Sequence, residues 1–119
     1  VKITTVQADL ADYDIGLQQW DAIISIFCHL PPDLRQDVHR RCIKGLRDGG
    51  MILLEAYTPL QLQYNTGGPP AAEMMMNVQS LSSELIGLDF FHLQECIREI
   101  HEGELHNGTG AVVQALAKK

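Results

Sequence analysis

The chain has 119 residues, of which 45% are hydrophobic and 20% are charged, and its formal net charge is −6. This length suits one domain, and this composition is typical of a folded chain rather than a disordered one. No segment gathers enough Lys and Arg to follow a nucleic-acid backbone. No apolar run approaches the roughly 20 residues that a membrane helix needs. We therefore expect neither nucleic acid nor a membrane as a partner.

Cysteine and histidine spacing argue against a disulfide framework and against a metal site. Cys28, Cys42 and Cys96 are widely separated, which predicts reduced thiols and a cytoplasmic protein. The segment His101–His106 resembles a zinc-binding H-E-x-x-H helix. However, its second histidine comes one residue late, and Gly103 disfavours a helix. We predict that the chain holds no metal.

The first part of the chain predicts a strand and an acidic turn. Lys2–Ala8 is short and β-branched, as strands are. Because the chain starts at Val1 and enters a strand at once, we expect it to be a piece of a longer protein. The turn Asp9–Asp14 follows the carboxyl end of that strand, where ligands bind in open α/β sheets. A solvated loop is the alternative interpretation.

The central part of the chain predicts a strand, a helix and a second strand. The apolar run Trp20–Phe27 indicates a strand covered on both faces. A helix follows from Asp33, and we expect Gly49 and Gly50 to end it. Its apolar residues recur every four positions, at Leu34, Val38, Cys42 and Leu46. Met51–Tyr57 indicates a second buried strand, so the unit is a βαβ crossover with parallel strands.

Two candidate site segments stand at the carboxyl ends of these strands. Because the strands are parallel, Phe27–His29 and Glu55–Tyr57 should emerge at the same edge of the sheet. Cys28 and His29 are adjacent, and neighbours on an extended segment point in opposite directions. We therefore interpret them as a buried thiol and a loop histidine rather than as a nucleophile with its base.

The segment after the second strand predicts a long loop and a short helix. Thr58–Pro70 holds two glycines and three prolines, which is typical of a lid or specificity loop. Met74–Met76 is either a soft contact surface or core filling. A two-turn helix is expected to start at Ser80 or Ser82 and to end at Gly87.

The last third of the chain predicts an antiparallel hairpin. Phe90–Ile100 mixes polar and apolar residues, which favours a half-exposed edge strand. Asn107-Gly108 is a strong tight-turn signal. Ala111–Ala117 is an apolar closing strand.

Taken in order, several segments resemble class I S-adenosylmethionine-dependent methyltransferases. The tellurite-resistance-type and ubiquinone/menaquinone-type branches are the most similar. The matching segments are Val6–Leu10, Trp20–Pro31, Leu46–Tyr57, Thr66–Pro69 and His101–Gln114. Each match is weak alone, but the ordered set with its spacing is specific.

The resemblance implies an α/β fold with part of the Rossmann-like methyltransferase sheet. That family has seven strands in the order 3-2-1-4-5-7-6, with only the seventh antiparallel. This chain would hold strands 3, 4, 5, 6 and 7, mostly parallel with an antiparallel C-terminal hairpin, in a single domain that spans residues 1–119. The cofactor implied is S-adenosyl-L-methionine, and the partner implied is a small-molecule methyl acceptor.

The resemblance also implies roles for eight residues. Asp9 would accept a hydrogen bond from the adenine amino group, with Leu10 beside the ring. Phe27 and Cys28 would flank the methionine part of the cofactor. The residues toward the acceptor would be His29, Tyr57, Tyr64 and His106. His29 and Tyr57 are the catalytic candidates, although a structural histidine is the alternative for His29.

The chain departs from the family because the first strand, the glycine-rich cofactor loop and the acidic end of the second strand are absent. We therefore expect weak cofactor binding, or none, and an inactive fragment of an active parent. The Lys2–Ala8 strand would also lack its neighbours, and the fourth family strand would be a bare apolar edge. Either Lys2–Ala8 pairs with that edge, or two chains join there as a homodimer.

Two other function classes stay open at this point. A nucleotide-binding module with flavodoxin-like winding would need a phosphate-holding loop after a strand, and the sequence shows none. A non-catalytic α/β interaction module would use the Met-rich and loop segments to bind a protein. The acceptor of a methyltransferase is also open among a metalloid, a small molecule and a quinone precursor.

Overall fold

The computed structural model describes all 119 residues and contains one four-stranded sheet with two helices. The strands are β1 (Trp20–Ile26), β2 (Leu46–Tyr57), β3 (Asp89–His101) and β4 (Asn107–Lys118). The helices are α1 (Pro32–Gly45) and α2 (Val78–Glu84), with two 3₁₀ turns between β2 and α2, Pro59–Gln63 and Ala72–Met74. Neither helix is long and apolar enough to cross a bilayer.

The sheet has the strand order β1-β2-β4-β3. β1 and β2 are parallel, and β4 is antiparallel to both of its neighbours, β2 and β3. Three of the four strands therefore point the same way, and the reversed strand lies inside the sheet. This arrangement confirms the predicted α/β class, the parallel βαβ unit and the antiparallel C-terminal pair.

The predicted strand Lys2–Ala8 does not join the sheet. Its residues have no strand assignment and are exposed, with Ile3 80% and Val6 63% accessible. The β-branched composition of this segment does not by itself produce a strand, because strand propensity takes effect only where a segment pairs with a neighbour. The outer edge of β1 also stays unpaired, so the expectation that Lys2–Ala8 pairs there is wrong for the single chain.

Both helices pack on one face of the sheet. The core on that face joins α1 and α2 to Ile52 and Leu54 of β2 and to Val113 and Ala115 of β4. The opposite face has no helix, and Ile24 of β1 is 69% exposed there. The prediction that β1 is covered on both faces is therefore wrong, because its apolar composition does not guarantee a second covering layer.

Helix α1 ends earlier than its glycines predict. Pro32 occupies the first turn, and Val38 and Cys42 face the core as expected. The helix stops at Gly45 because Leu46 adopts an extended conformation and pairs with Trp20 of β1. Gly49 and Gly50 thus lie inside β2 rather than at the helix end.

Two further boundaries differ from the sequence predictions. Helix α2 is capped by Asn77, whose side chain accepts from the Ser80 amide while the Ser80 hydroxyl accepts from the Asn77 amide. The cap therefore precedes the two serines that were expected to supply it. Asn107 and Gly108 belong to β4, and the tight turn lies just before them, over residues 102–106.

A buried ion network joins the two helices. Arg35 of α1 donates to both carboxylate oxygens of Glu84, at 2.7–3.1 Å, and also to the carbonyls of Glu73 and Met75. The Nδ1 atom of His39 lies 2.7 Å from the same carboxylate. These bonds lower the pKa of Glu84 even though burial acts to raise it. They fix Met75, which is buried and fills the core as one of the two interpretations of the Met-rich segment predicts.

Candidate functional site

The candidate site begins where β1 ends. Phe27 follows β1 in the left-handed region, with φ of +50°, which non-glycine residues seldom adopt. Its amide donates to the Glu55 carbonyl at 2.8 Å, so the parallel pairing with β2 continues through the strained residue. Its ring is thereby directed toward the end of β2.

Four rings gather at this strand end. The Phe27 centroid lies 4.6 Å from that of Tyr57 and 5.0 Å from that of His106. The His29 ring lies 5.6 Å from Tyr57, with an interplanar angle of 12°. Near-parallel rings at these separations are in offset stacking range. The structure therefore brings together four of the eight predicted site residues, from three separate segments of the chain.

His29 makes a structural hydrogen bond across this cluster. Its Nε2 atom accepts from the Tyr57 amide at 2.9 Å, which extends the contact between the two strand ends. Burial lowers its pKa to about 4, and the nearby His106 and Arg35 act in the same direction. His29 is therefore neutral near pH 7, and the lone pair that a general base would use is already engaged.

Tyr57 is fully buried, and its hydroxyl has no hydrogen-bond partner. Burial raises the pKa of this hydroxyl. A Cβ atom placed on Gly67 would lie only 3.0 Å from the hydroxyl, and one on Gly68 would lie 2.9 Å from the ring. The two glycines thus let the loop backbone cover Tyr57 directly.

The loop over Tyr57 is held in place by Gln61. This side chain is 1% exposed, accepts from the Ala111 amide at 2.9 Å, and donates to the Thr66 hydroxyl and the Gly67 carbonyl. The Thr66 hydroxyl in turn donates to the Thr109 carbonyl at 2.6 Å. The segment that its composition predicted as a lid or specificity loop is therefore anchored to β4.

A pocket of about 420 Å³ opens beside these rings. Its lining residues are Phe27, His29, Gly67, Gly68, Pro69, Leu105 and His106. Tyr57 lies beneath the glycines rather than on the pocket surface. Tyr64, predicted to face an acceptor, ends the first 3₁₀ turn and does not line this pocket.

The predicted adenine side of the site lies along the free edge of β1. Leu10 and Cys28 line one groove of about 460 Å³, together with the apolar residues of β1 and α1. Asp9 precedes this groove, is exposed, and accepts from the Ala11 amide at 2.8 Å. Burial raises the pKa of the Cys28 thiol, which disfavours a thiolate nucleophile.

Sequence reasoning placed Glu55 in a candidate site segment but missed the polar contacts that Glu55 and Gln61 make. Glu55 is 8% exposed on the helix-free face, where it pairs with Arg98 and accepts from Gln114 at 2.5 Å. Polar residues inside apolar strands were the available signal for this network. Gln61 lies in a loop segment without periodicity, so nothing local indicates its burial. The structure contains no cluster of three or more His, Cys, Asp or Glu residues that would suit a metal.

The chain has an α/β sheet with its reversed strand inside and its candidate site at the carboxyl ends of parallel strands, and this arrangement matches part of the fold of solved methyltransferase structures. Among solved structures, the chain is similar to TehB from Haemophilus influenzae, with a TM-score of 0.71 at 18% identity over 100% of this chain and 42% of TehB. It is also similar to the N-methyltransferase NodS from Bradyrhizobium japonicum, with a TM-score of 0.64 at 9% identity over 94% of this chain and 57% of NodS.

A second structure of NodS contains S-adenosyl-L-homocysteine and matches with a TM-score of 0.60 at 9% identity, over 94% of this chain and 52% of that one. The chain therefore spans about half the length of the structures that it resembles. At these identities the likeness shows the fold. No family model matches the sequence. No curated protein matches it either.

Proposed function

We propose that this chain is the C-terminal part of an S-adenosyl-L-methionine-dependent methyltransferase domain that acts on a small molecule. The observation that carries the proposal is the meeting of the parallel β1 and β2 ends at an aromatic pocket, next to the groove of Leu10 and Cys28. The fold shared with NodS, an N-methyltransferase, supports it. We place the parent in the cytoplasm and nearest the tellurite-resistance-type or ubiquinone/menaquinone-type branches.

The residues present fit part of the cofactor. The groove along β1 is apolar and suits an adenine ring beside Leu10, with the exposed Asp9 carboxylate as acceptor for the amino group. Phe27 and Cys28 stand at the strand end where the methionine part would lie. No lining residue of the groove is a cation that could pair with a methionine carboxylate. S-adenosyl-L-methionine would supply a methyl group already activated on a sulfonium.

The protein's own contribution would be to position the acceptor. Phe27 and His106 present ring surface to the pocket, and His29 fixes the strand end on which Phe27 sits. We assign His29 a positioning role, because its Nε2 lone pair is used by the Tyr57 amide. Tyr57 would support the pocket from below. No contact with the pocket supports an acceptor role for Tyr64.

Calorimetric titration with S-adenosyl-L-homocysteine tests the proposal. We expect the isolated chain to bind weakly or not at all, since half of the cofactor contacts would come from outside it. The complete reading frame should bind with micromolar affinity, and Asp9→Ala in that protein should weaken binding by about tenfold, as expected for one lost hydrogen bond to a charged group. Asp12→Ala, in the same acidic turn, is the matched control.

Two results would overturn this proposal in different ways. Micromolar affinity of the isolated chain would show that these residues form a complete cofactor site and that no contacts from outside the chain are needed. No binding by the complete protein would favour a non-catalytic interaction module instead. The exposed apolar side chains of the helix-free sheet face, Ile24, Ile26 and Leu53, are the observation that favours that alternative.

A further inference from the structure

Phe27 carries one ring face that no other aromatic side chain covers. Its centroid lies 4.6 Å from Tyr57 and 5.0 Å from His106, while Tyr57 and His106 lie 5.8 Å apart. If those two rings stacked on opposite faces of Phe27, their separation would approach the sum of the two stacking distances. All three planes lie within 23° of one another. Tyr57 and His106 therefore share one face of Phe27. The His29 ring lies 6.4 Å from Phe27 and only 5.6 Å from Tyr57, so it does not lie across Phe27 from Tyr57 either, and no aromatic ring stacks on the other face.

The walls around Phe27 carry no Asp, Glu, Lys or Arg side chain. The other lining residues are two glycines, Pro69, Leu105 and two histidines. One of these, His29, is neutral near pH 7 because burial lowers its pKa to about 4. An oxyanion would therefore find no fixed cation in this pocket, and a cationic ligand would find no carboxylate.

One polar atom without a partner lies beneath the glycines that line the pocket. The Tyr57 hydroxyl is buried and makes no hydrogen bond. A Cβ on Gly67 would lie 3.0 Å from it, so only glycine backbone separates the hydroxyl from the pocket. Because glycine backbone covers this hydroxyl, a ligand in the pocket does not reach it, and Tyr57 contributes through the ring that stacks on Phe27.

We propose that this pocket binds an uncharged planar aromatic ring, stacked on the free face of Phe27. The claim that this ring is the methyl acceptor rests on the proposed function, whereas the claim that the ring binds here does not. The near-parallel arrangement of Phe27, Tyr57 and His106 suits a flat ligand that continues the stack. A quaternary cation is held best by rings that enclose it from several directions, which these rings do not do.

Titration of the isotope-labelled chain with indole, followed by amide NMR, tests the proposal directly. Indole is planar and uncharged and carries one N–H donor. We expect saturable shifts at the amides of Gly67, Gly68 and His106, with little change at Ile97 on β3. Tetramethylammonium and inorganic phosphate, titrated in parallel, should leave the three pocket amides unchanged.

Substitution of Phe27 separates ring stacking from general hydrophobic contact. Phe27→Leu keeps an apolar side chain and removes the ring, so indole affinity should fall about tenfold, the loss expected for one stacking contact. Phe91→Leu makes the same change at a 66% exposed position on β3 and should leave affinity unchanged. Because Phe27 has a strained backbone, His106→Leu is a second variant, and the amide spectrum of each variant shows whether it folds.

Each other outcome overturns the inference. Unchanged pocket amides with indole would show that no ring binds, and equal shifts with tetramethylammonium or phosphate would assign the pocket to an ion. Indole affinity that survives in folded Phe27→Leu and His106→Leu would place the ring elsewhere. These titrations use no cofactor, so the indole result stands even if the protein does not bind S-adenosyl-L-homocysteine. A complete protein that binds the cofactor but not indole would refute the aromatic-ring proposal and leave the proposed function in place.

Discussion

His29 ties together the ends of two parallel strands, and its protonation should weaken that link. Its pKa is about 4 in the folded chain, against an ordinary value of 6.5. Between these values the unfolded chain binds more protons. The stability contributed by His29 is therefore fully present above pH 6.5 and is lost as the pH falls toward 4.

His29→Ala should remove this pH dependence as well as the bond to the Tyr57 amide. We expect the variant to be about 1–3 kcal/mol less stable than the parent chain near pH 7.5, because a buried amide loses its acceptor. The difference in free energy of unfolding between the parent chain and the variant should shrink as the pH is lowered to 4.5. Urea unfolding at several pH values measures it, with the exposed His101→Ala as control. A difference that stays constant over this range would contradict the prediction.

At Tyr57 a substitution should raise stability rather than lower it, because the hydroxyl is buried and unpaired. Tyr57→Phe removes that hydroxyl without removing the ring that stacks on Phe27 and His29. We expect the free energy of unfolding to rise by about 1 kcal/mol, since an unsatisfied polar group is eliminated. Tyr64→Phe, at a partly exposed position, should change little. A clear loss of stability in Tyr57→Phe would show that the hydroxyl has a partner in solution.

At the scale of elements, Gln61 decides how the segment between β2 and α2 is held. Gln61→Met keeps the length of the side chain but leaves the Ala111 amide and the Gly67 carbonyl without this partner. We expect a loss of about 2 kcal/mol in urea unfolding and faster hydrogen exchange of the Ala111 amide. Gln63→Met, at an exposed position of the same 3₁₀ turn, is the matched control. Unchanged exchange at Ala111 would show that the loop is not anchored there.

The elements that could be predicted are those whose signal is local. The apolar run of β1, the stripe on α1 and the closing strand β4 each follow from residue periodicity, and the topology follows from the parallel crossover. The helix end predicted at Gly49 and Gly50 was wrong because Leu46 leaves the helix to pair with Trp20. Residue periodicity does not encode that contact. The strand predicted at Lys2–Ala8 was wrong because strand propensity produces a strand only where the segment pairs with a neighbour.

The candidate site was only partly predictable for the same reason. Parallel strands bring their carboxyl ends to one edge, so the proximity of Phe27, His29 and Tyr57 could be expected from the order of elements. The burial of the Tyr57 hydroxyl and the engagement of the His29 lone pair depend on atoms that meet only in three dimensions. Tyr64 was grouped with the acceptor by resemblance alone, and its 3₁₀ turn places it outside the pocket.

For the molecule as a whole, the sheet ends at β1 with one unpaired edge and a partly apolar face. Ile24 is 69% exposed, and Ile26 and Leu53 are each 43% exposed. No proline or charged side chain protects the central residues of this edge strand, so a second copy can pair with it. We predict that the chain forms a homodimer through the β1 edge at high protein concentration.

Charge should oppose this association and make it depend on salt. Each copy carries a formal charge of −6, so screening by added salt should strengthen the dimer. Ile24→Lys adds a charge to the exposed face of β1 and should shift the chain to monomer in sedimentation or light-scattering measurements over a range of concentrations. Ile86→Lys makes the same change at a 75% exposed position after α2 and should leave the dimer intact. A monomer at every concentration and salt level would exclude this interface, and equal effects of the two variants would assign the association to charge alone rather than to β1.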